Sequence, residues 1–157
     1  FGEDVILFRM DYGIGMSVFK NNDFIKAPGM LEIGNTLARM ENQEIQSLNN
    51  IATISAIEKK SGRSIQEISK DAVEENKILQ EAATSLAMAI ANAVILFDVP
   101  TILLSGKLME QAPAILEEVE KNLKKYLSTK VKIFKYDEKR AASGAAWIAV
   151  ERLLTTF

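Results

Sequence analysis

The chain has 157 residues, the usual size of a single domain with its own hydrophobic core. Hydrophobic residues make up 48% and charged residues 25% of it, as in an ordinary soluble globular protein. The net charge of −2 gives no basis for a nucleic-acid-binding surface. Because cysteine and histidine are both absent, disulfides, thiolate zinc sites and histidine general bases are excluded.

The longest apolar stretch argues against a membrane protein. It runs from Leu86 to Phe97, which is too short to cross a bilayer, and it contains Asn92. No signal peptide is visible, so we expect a cytoplasmic location and no membrane partner. The chain begins with Phe1 rather than methionine, and we expect it to be part of a longer protein.

The first elements predict a β-hairpin. Val5 to Met10 and Gly15 to Lys20 are strand-like, and the letters DYGIG form the turn between them. The region from Ile45 to Phe97 is predicted to be helical.

Three signals divide this helical region. Gly62 is predicted to end one helix, and Ser64 followed by Glu67 forms a capping box that opens the next. A long, alanine-rich helix is predicted from about Lys77 to Phe97, with apolar residues on most faces, which is typical of a buried helix.

The second half of the chain continues the alternation of strands and helices. Thr101 to Ser105 is a continuous apolar run that suits a central buried strand, and Ala112 to Leu127 is an amphipathic helix. Val131 to Tyr136 alternates with lysine, as edge strands do, and Ala141 to Leu154 is predicted to be a closing helix of small residues.

The order of these elements resembles the C-terminal half of the ROK (repressor, open reading frame, kinase) family. The strongest motifs are SLAMAIANAVILFDVPTILLSGKL and SGAAWIAV, and the resemblance extends from Val5 to Leu154. It implies an α/β fold of the actin-like ATPase, or ribonuclease H-like, type, with a mixed sheet and flanking helices. Residues 1–157 are interpreted as one C-terminal sugar-sensing and dimerisation domain.

The turn that faces nucleotide phosphates in the family is altered here. Family kinases usually have Gly-Thr-Gly-Ile-Gly, whereas this chain has Asp11 and Tyr12 before Gly13 and Gly15. A carboxylate at Asp11 would repel a polyphosphate unless a metal lay between them. The alternative is that Asp11 and Tyr12 simply make a good hairpin turn.

The adenosine-side turn of the family is altered as well. Ser105 stands before Gly106 where the family commonly has two glycines. Both changes predict weak ATP binding, and we predict neither a cofactor nor a catalytic residue in this chain.

The family's sugar-binding motif, Gly-Glu-Ile-Gly-His, is matched in part by the letters MLEIGN. Glu32 matches the sugar-binding glutamate, Asn35 takes the place of the histidine, and Asn49 that of a second glutamate. These three residues are predicted to bind a sugar, and the zinc motif is missing. Asparagine can donate to and accept from sugar hydroxyls. The alternative is that Glu32 caps a loop, Asn35 makes a turn and Asn49 is a helix N-cap.

Three functions remain open at this point. The resemblance favours the effector-binding domain of a repressor-type regulator, similar to xylose or N-acetylglucosamine repressors, which forms a homodimer and reaches DNA only through a missing N-terminal winged helix. The second is the C-terminal half of a divergent sugar kinase. The third is a domain used only for dimerisation.

Overall fold

The computed structural model describes residues 4–25, 32–39, 44–73 and 76–135. It begins with the predicted hairpin, in which β1 (Val5–Met10) pairs antiparallel with β2 (Ile14–Lys20). A short third strand, β3 (Asp23–Phe24), pairs antiparallel with the end of β2. The hairpin prediction is confirmed.

A small two-stranded sheet, formed by β4 (Leu37–Arg39) and β5 (Ile45–Ser47), corrects one prediction. The sequence predicted helix from Ile45 onward, but helix begins only at Asn49. A strand of three residues is too short for its periodicity to be recognised, and pairing with another strand decides its conformation.

The main sheet has five strands and mixes both strand orientations. Two further strands, β6 (Thr101–Ser105) and β7 (Lys132–Lys135), complete the order β3-β2-β1-β6-β7. β6 runs parallel to both β1 and β7. The apolar run at β6 is therefore central, and the lysine-bearing β7 lies at the edge, as predicted.

Six α-helices lie in the described residues. They are α1 (Asn49–Ala52), α2 (Ile54–Ser61), α3 (Ile65–Ile68), α4 (Lys77–Phe97), α5 (Lys107–Gln111) and α6 (Pro113–Tyr126). Gly62 ends α2 with a left-handed φ of 67°, as the sequence predicted. Glu67 accepts hydrogen bonds from the backbone N–H and hydroxyl of Ser64, which confirms the capping box at α3.

The long helix α4 is the centre of the core. It packs along α6 and also contacts α1 and α2. Its alanines Ala82, Ala83, Ala87 and Ala93 are buried, and small side chains allow neighbouring helices to approach closely. By length and composition α4 could cross a membrane, but 61% of its apolar window is buried inside the structure, which is typical of a core helix.

The sheet and the helices share one hydrophobic cluster. Alternate residues of β1, namely Ile6, Phe8 and Met10, are buried in the same cluster as Leu86 of α4 and Leu123 of α6. This alternation is the period of two expected of a strand with one face on the core. The predicted closing helix from 141 to 154 lies outside the described residues.

Candidate functional site

Glu32, Asn35 and Asn49 lie together and form a chain of polar contacts. The Nδ2 of Asn35 donates to the Oε2 of Glu32. The Nδ2 of Asn49 donates to the Oδ1 of Asn35 at 3.3 Å, and the backbone N–H of Ile14 donates to the Oδ1 of Asn49 at 3.0 Å. These contacts join residues 3, 14 and 35 positions apart along the chain, and Glu32 lies at the solvent-exposed end.

Gly34 allows this arrangement. It lies in a single turn of 3-10 helix, Ile33–Asn35, directly beneath the Asn49 side chain. A Cβ at Gly34 would lie 2.2 Å from the Oδ1 of Asn49, which no real Cβ tolerates. Gly34 therefore lets the Asn49 side chain lie against this turn, and a Cβ here would displace that side chain.

The alternative structural roles for these residues are met only in part. Leu48, not Asn49, is the N-cap of α1, so the N-cap interpretation of Asn49 is wrong. Glu32 precedes the 3-10 helix, but its carboxylate makes no capping hydrogen bond. Asn35 does end that turn, and its side chain reaches both other residues.

An open groove of about 690 Å³ lies beside Glu32. Its other wall is α4, which contributes Ser85, Met88 and Asn92. These three residues were not predicted to belong to a site. A signal was present, however, because Ser85 and Asn92 are polar, lie in an apolar helix and are seven residues apart, which places them on one face.

Asp11 connects the hairpin turn to two other elements. Its Oδ1 accepts from the backbone N–H of Lys107 at 2.6 Å, and its Oδ2 accepts from the Nε of Arg9 at 2.7 Å. Its backbone carbonyl accepts from the N–H of Ile54 at 3.2 Å, at the start of α2. Burial alone would raise the pKa of the Asp11 carboxyl, but the hydrogen bonds from Arg9 and Lys107 outweigh it and hold the pKa below its ordinary value.

The other residues of this turn remain accessible. Tyr12 is 64% exposed, and the ammonium of Lys107 lies 5.7 Å from the centre of its ring. A Cβ at Gly13 or Gly15 would meet nothing within 4 Å, so neither glycine is required by packing. The turn therefore has unoccupied space beside Gly13 and Gly15, and the Asp11 carboxylate is fixed by two hydrogen bonds.

Gly106, unlike Gly13 and Gly15, is required by the fold. Its φ is 106°, and a Cβ there would lie 2.3 Å from the carbonyl oxygen of Met10. The hydroxyl of the neighbouring Ser105 donates to the carbonyl of Phe8 at 3.3 Å and is buried. Ser105 thus joins β6 to β1, and only Gly106 lies at the turn itself.

The mixed five-stranded sheet with flanking helices has the actin-like ATPase fold, as the similar solved structures show. A ROK hexokinase from Thermus thermophilus is similar, with a TM-score of 0.72 and 16% identity over 85% of this chain and 51% of that one. A ROK family protein from Streptococcus pneumoniae in complex with sucrose has a TM-score of 0.68 and 20% identity, covering 85% and 52%. A ROK family transcriptional regulator, a homologue of the E. coli MLC protein, has a TM-score of 0.65 and 19% identity, covering 85% and 41%.

The chain belongs to the ROK family, whose sequence pattern it matches over residues 2–152. It spans about half the length of the solved structures that it resembles. No curated protein sequence matches it. Since both kinases and a regulator are among the similar structures, the fold is shared by both functions.

Proposed function

We propose that this chain is the effector-binding and dimerisation half of a ROK-type transcriptional regulator, and that its effector is a sugar. The observation that carries this proposal is the chain of contacts between Glu32, Asn35 and Asn49, of which Glu32 also lines the open groove. In this proposal the protein is a cytoplasmic homodimer, and DNA is bound only through an N-terminal winged helix outside residues 1–157.

The polar chain suits a polyol ligand. Each asparagine offers a donor and an acceptor, and a sugar hydroxyl needs both. The exposed carboxylate of Glu32 can accept from a hydroxyl in a charge-assisted hydrogen bond, roughly twice as strong as a neutral one. The amide of Asn49 is already held by the N–H of Ile14, so its orientation is set before a ligand arrives.

Asp11 favours a regulator over a kinase. Its ionised carboxylate lies in the turn that corresponds to the phosphate turn of the family. Phosphoryl transfer depends on positive electrostatics and precise positioning around the phosphates, and a fixed negative charge opposes both. In a regulator, the sugar would act by preferring one arrangement of the dimer and shifting the population towards it.

The second candidate is the C-terminal half of a divergent sugar kinase. The similarity to the hexokinase and to a Listeria monocytogenes N-acetylmannosamine kinase candidate supports it as far as the fold is concerned. Sequence that precedes residue 1 separates the two: a helix-turn-helix supports the regulator, and an Asp-x-Gly phosphate loop supports the kinase.

The sugar site is tested by calorimetry on the full-length protein with hexoses, pentoses, N-acetylhexosamines and their phosphates. We expect one class to bind, and Glu32→Gln to weaken it by about tenfold because a charge-assisted hydrogen bond is lost. Glu110→Gln on α5 is the matched control, since it removes the same charge from an exposed residue away from the groove. Equal affinity in Glu32→Gln contradicts the proposed site, and no heat from any sugar favours a domain used only for dimerisation.

A further inference from the structure

The place between the β1–β2 turn and the start of α5 has the composition of an anion site. A backbone N–H from Lys107 and the guanidinium of Arg9 both donate into it. The ammonium of Lys107 lies nearby, over the ring of Tyr12. Backbone amides and cationic side chains that converge in this way bind carboxylate or phosphate groups in proteins.

The carboxylate of Asp11 occupies that place. The Asp11 side chain is only 17% exposed, and its two oxygens accept separately from Lys107 and Arg9. Lys107 is 96 residues further along the chain, so the carboxylate joins two turns that are remote in sequence. An external phosphate that approached the same donors would meet a negative charge at the position it needs.

The two glycines of the β1–β2 turn are not packed against other parts of the described structure. There is open space at the Cβ positions of Gly13 and Gly15. Gly106 lets the second turn lie against the carbonyl of Met10, which brings the Lys107 amide next to Asp11. Packing around Gly13 and Gly15 therefore does not close this place to a phosphate group.

We propose that the Asp11 carboxylate acts as a built-in anion, and that its presence, rather than loss of the glycine-rich turns, determines that this cleft rejects polyphosphates. Asp11 is in this sense a specificity-determining residue. This role of Asp11 is independent of sugar binding in the groove at Glu32, because the donors involved are different. The hairpin also contacts the helices. The carbonyl of Asp11 accepts from the N–H of Ile54 in α2, and the N–H of Ile14 donates to the Oδ1 of Asn49 in α1.

The test is calorimetry of the full-length protein with inorganic tripolyphosphate and, separately, with MgATP, at constant ionic strength. We expect no binding to the natural protein at millimolar concentrations. We expect Asp11→Gly to bind tripolyphosphate at least about tenfold more tightly, because the released donors regain charge-assisted hydrogen bonds to an anion. The MgATP measurement shows whether the nucleoside adds affinity to that of the phosphates.

Asp4→Gly is the control, since it removes the same charge from the opposite end of β1, where Asp4 accepts from the N–H of Asn21 at 2.8 Å. If Asp11→Gly fails to fold, as judged by circular dichroism, Asp11→Ser empties the same position with a smaller backbone perturbation and decides the question. Failure of a folded Asp11 variant to bind tripolyphosphate more tightly than the Asp4 control overturns the proposal. A purely structural role for Asp11 predicts that failure, together with a loss of stability.

Hydrogen exchange gives an independent measurement. The amide of Lys107 should exchange at least about tenfold faster in Asp11→Gly than in the natural protein, since its acceptor is gone. Unchanged exchange at Lys107 would show that the carboxylate does not hold this amide, and would also overturn the proposal.

Discussion

Gly34 is the residue at which the candidate sugar site is most easily disturbed without touching a polar group. The Asn49 amide lies where a Cβ at Gly34 would have to be. Gly34→Ala is therefore expected to displace Asn49, break its contact with Asn35 and weaken sugar binding by tenfold or more. Titration calorimetry measures the affinity.

Gly13→Ala is the control for this substitution, because its Cβ would meet nothing within 4 Å. It should leave both sugar affinity and stability nearly unchanged. Equal affinity in Gly34→Ala and Gly13→Ala would show that Asn49 does not take part in sugar binding.

The dependence of folding stability on acidic pH is a second property that single carboxyl groups determine. The hydrogen bond from Arg63 is the main cause that lowers the pKa of Asp71, and Asn76 adds another. The hydrogen bonds from Ser64 lower the pKa of Glu67. Because these folded pKa values lie below the unfolded ones of 3.8 and 4.5, the stability they contribute is present above about pH 5 and is lost as pH falls through the folded values.

Urea denaturation midpoints between pH 6 and pH 3 measure this dependence. We expect the midpoint to fall with pH, and to fall less steeply in Asp71→Asn, since one group with a lowered pKa has been removed. Parallel curves for the two proteins would show that Asp71 has the same pKa folded and unfolded.

Among the elements, α4 depends on its N-cap residue, Asn76. The Oδ1 of Asn76 accepts from the N–H groups of Ile78 and Leu79 at 3.1 and 3.3 Å, which satisfies two donors that the helix leaves free. Asn76→Ala should therefore cost about 0.5–2 kcal/mol of unfolding free energy, measured by chemical denaturation. Asn92→Ala in the middle of the same helix is the control, and should be neutral or slightly stabilising because alanine is the better helix former.

The strongly patterned elements were predictable because their signals are local. Strand β1 alternates buried and less buried residues, α4 is long and alanine-rich, and Gly62 ends α2 in the left-handed conformation. The sheet of β4 and β5 was not predictable, because three residues carry no usable period and their pairing spans an intervening segment. At Asn49, likewise, residue type allowed an N-cap as the alternative to sugar binding, but the side chain instead accepts from the N–H of Ile14 in β2.

At the scale of the whole molecule, the shared hydrophobic cluster predicts that a destabilising substitution in one helix also destabilises the sheet. Leu86 of α4 is buried in that cluster, and Leu86→Ala should cost about 2–5 kcal/mol because it leaves a cavity. Hydrogen exchange of the Phe8 amide in β1 should accelerate with it if the cluster unfolds cooperatively.

Leu96→Ala makes the same substitution on the same helix at a residue that is 79% exposed. It should change stability by no more than about 0.5 kcal/mol. Slower unfolding of β1 than of α4 in Leu86→Ala would indicate that the sheet and helices are separate cooperative units.

The order of the main elements and the residue types available for chemistry could be predicted from the sequence, because hydrophobic period and composition are properties of short stretches. The resemblance to the ROK family implied the fold class. It also marked Glu32, Asn35, Asn49 and the turn at Asp11 as the places of interest. Neither the position of the Asn49 amide over Gly34 nor the hydrogen bond from the Lys107 amide to the Asp11 carboxylate could be predicted from local patterns. Those contacts join residues up to 96 positions apart, and they exist only once strands and helices have packed around a common core.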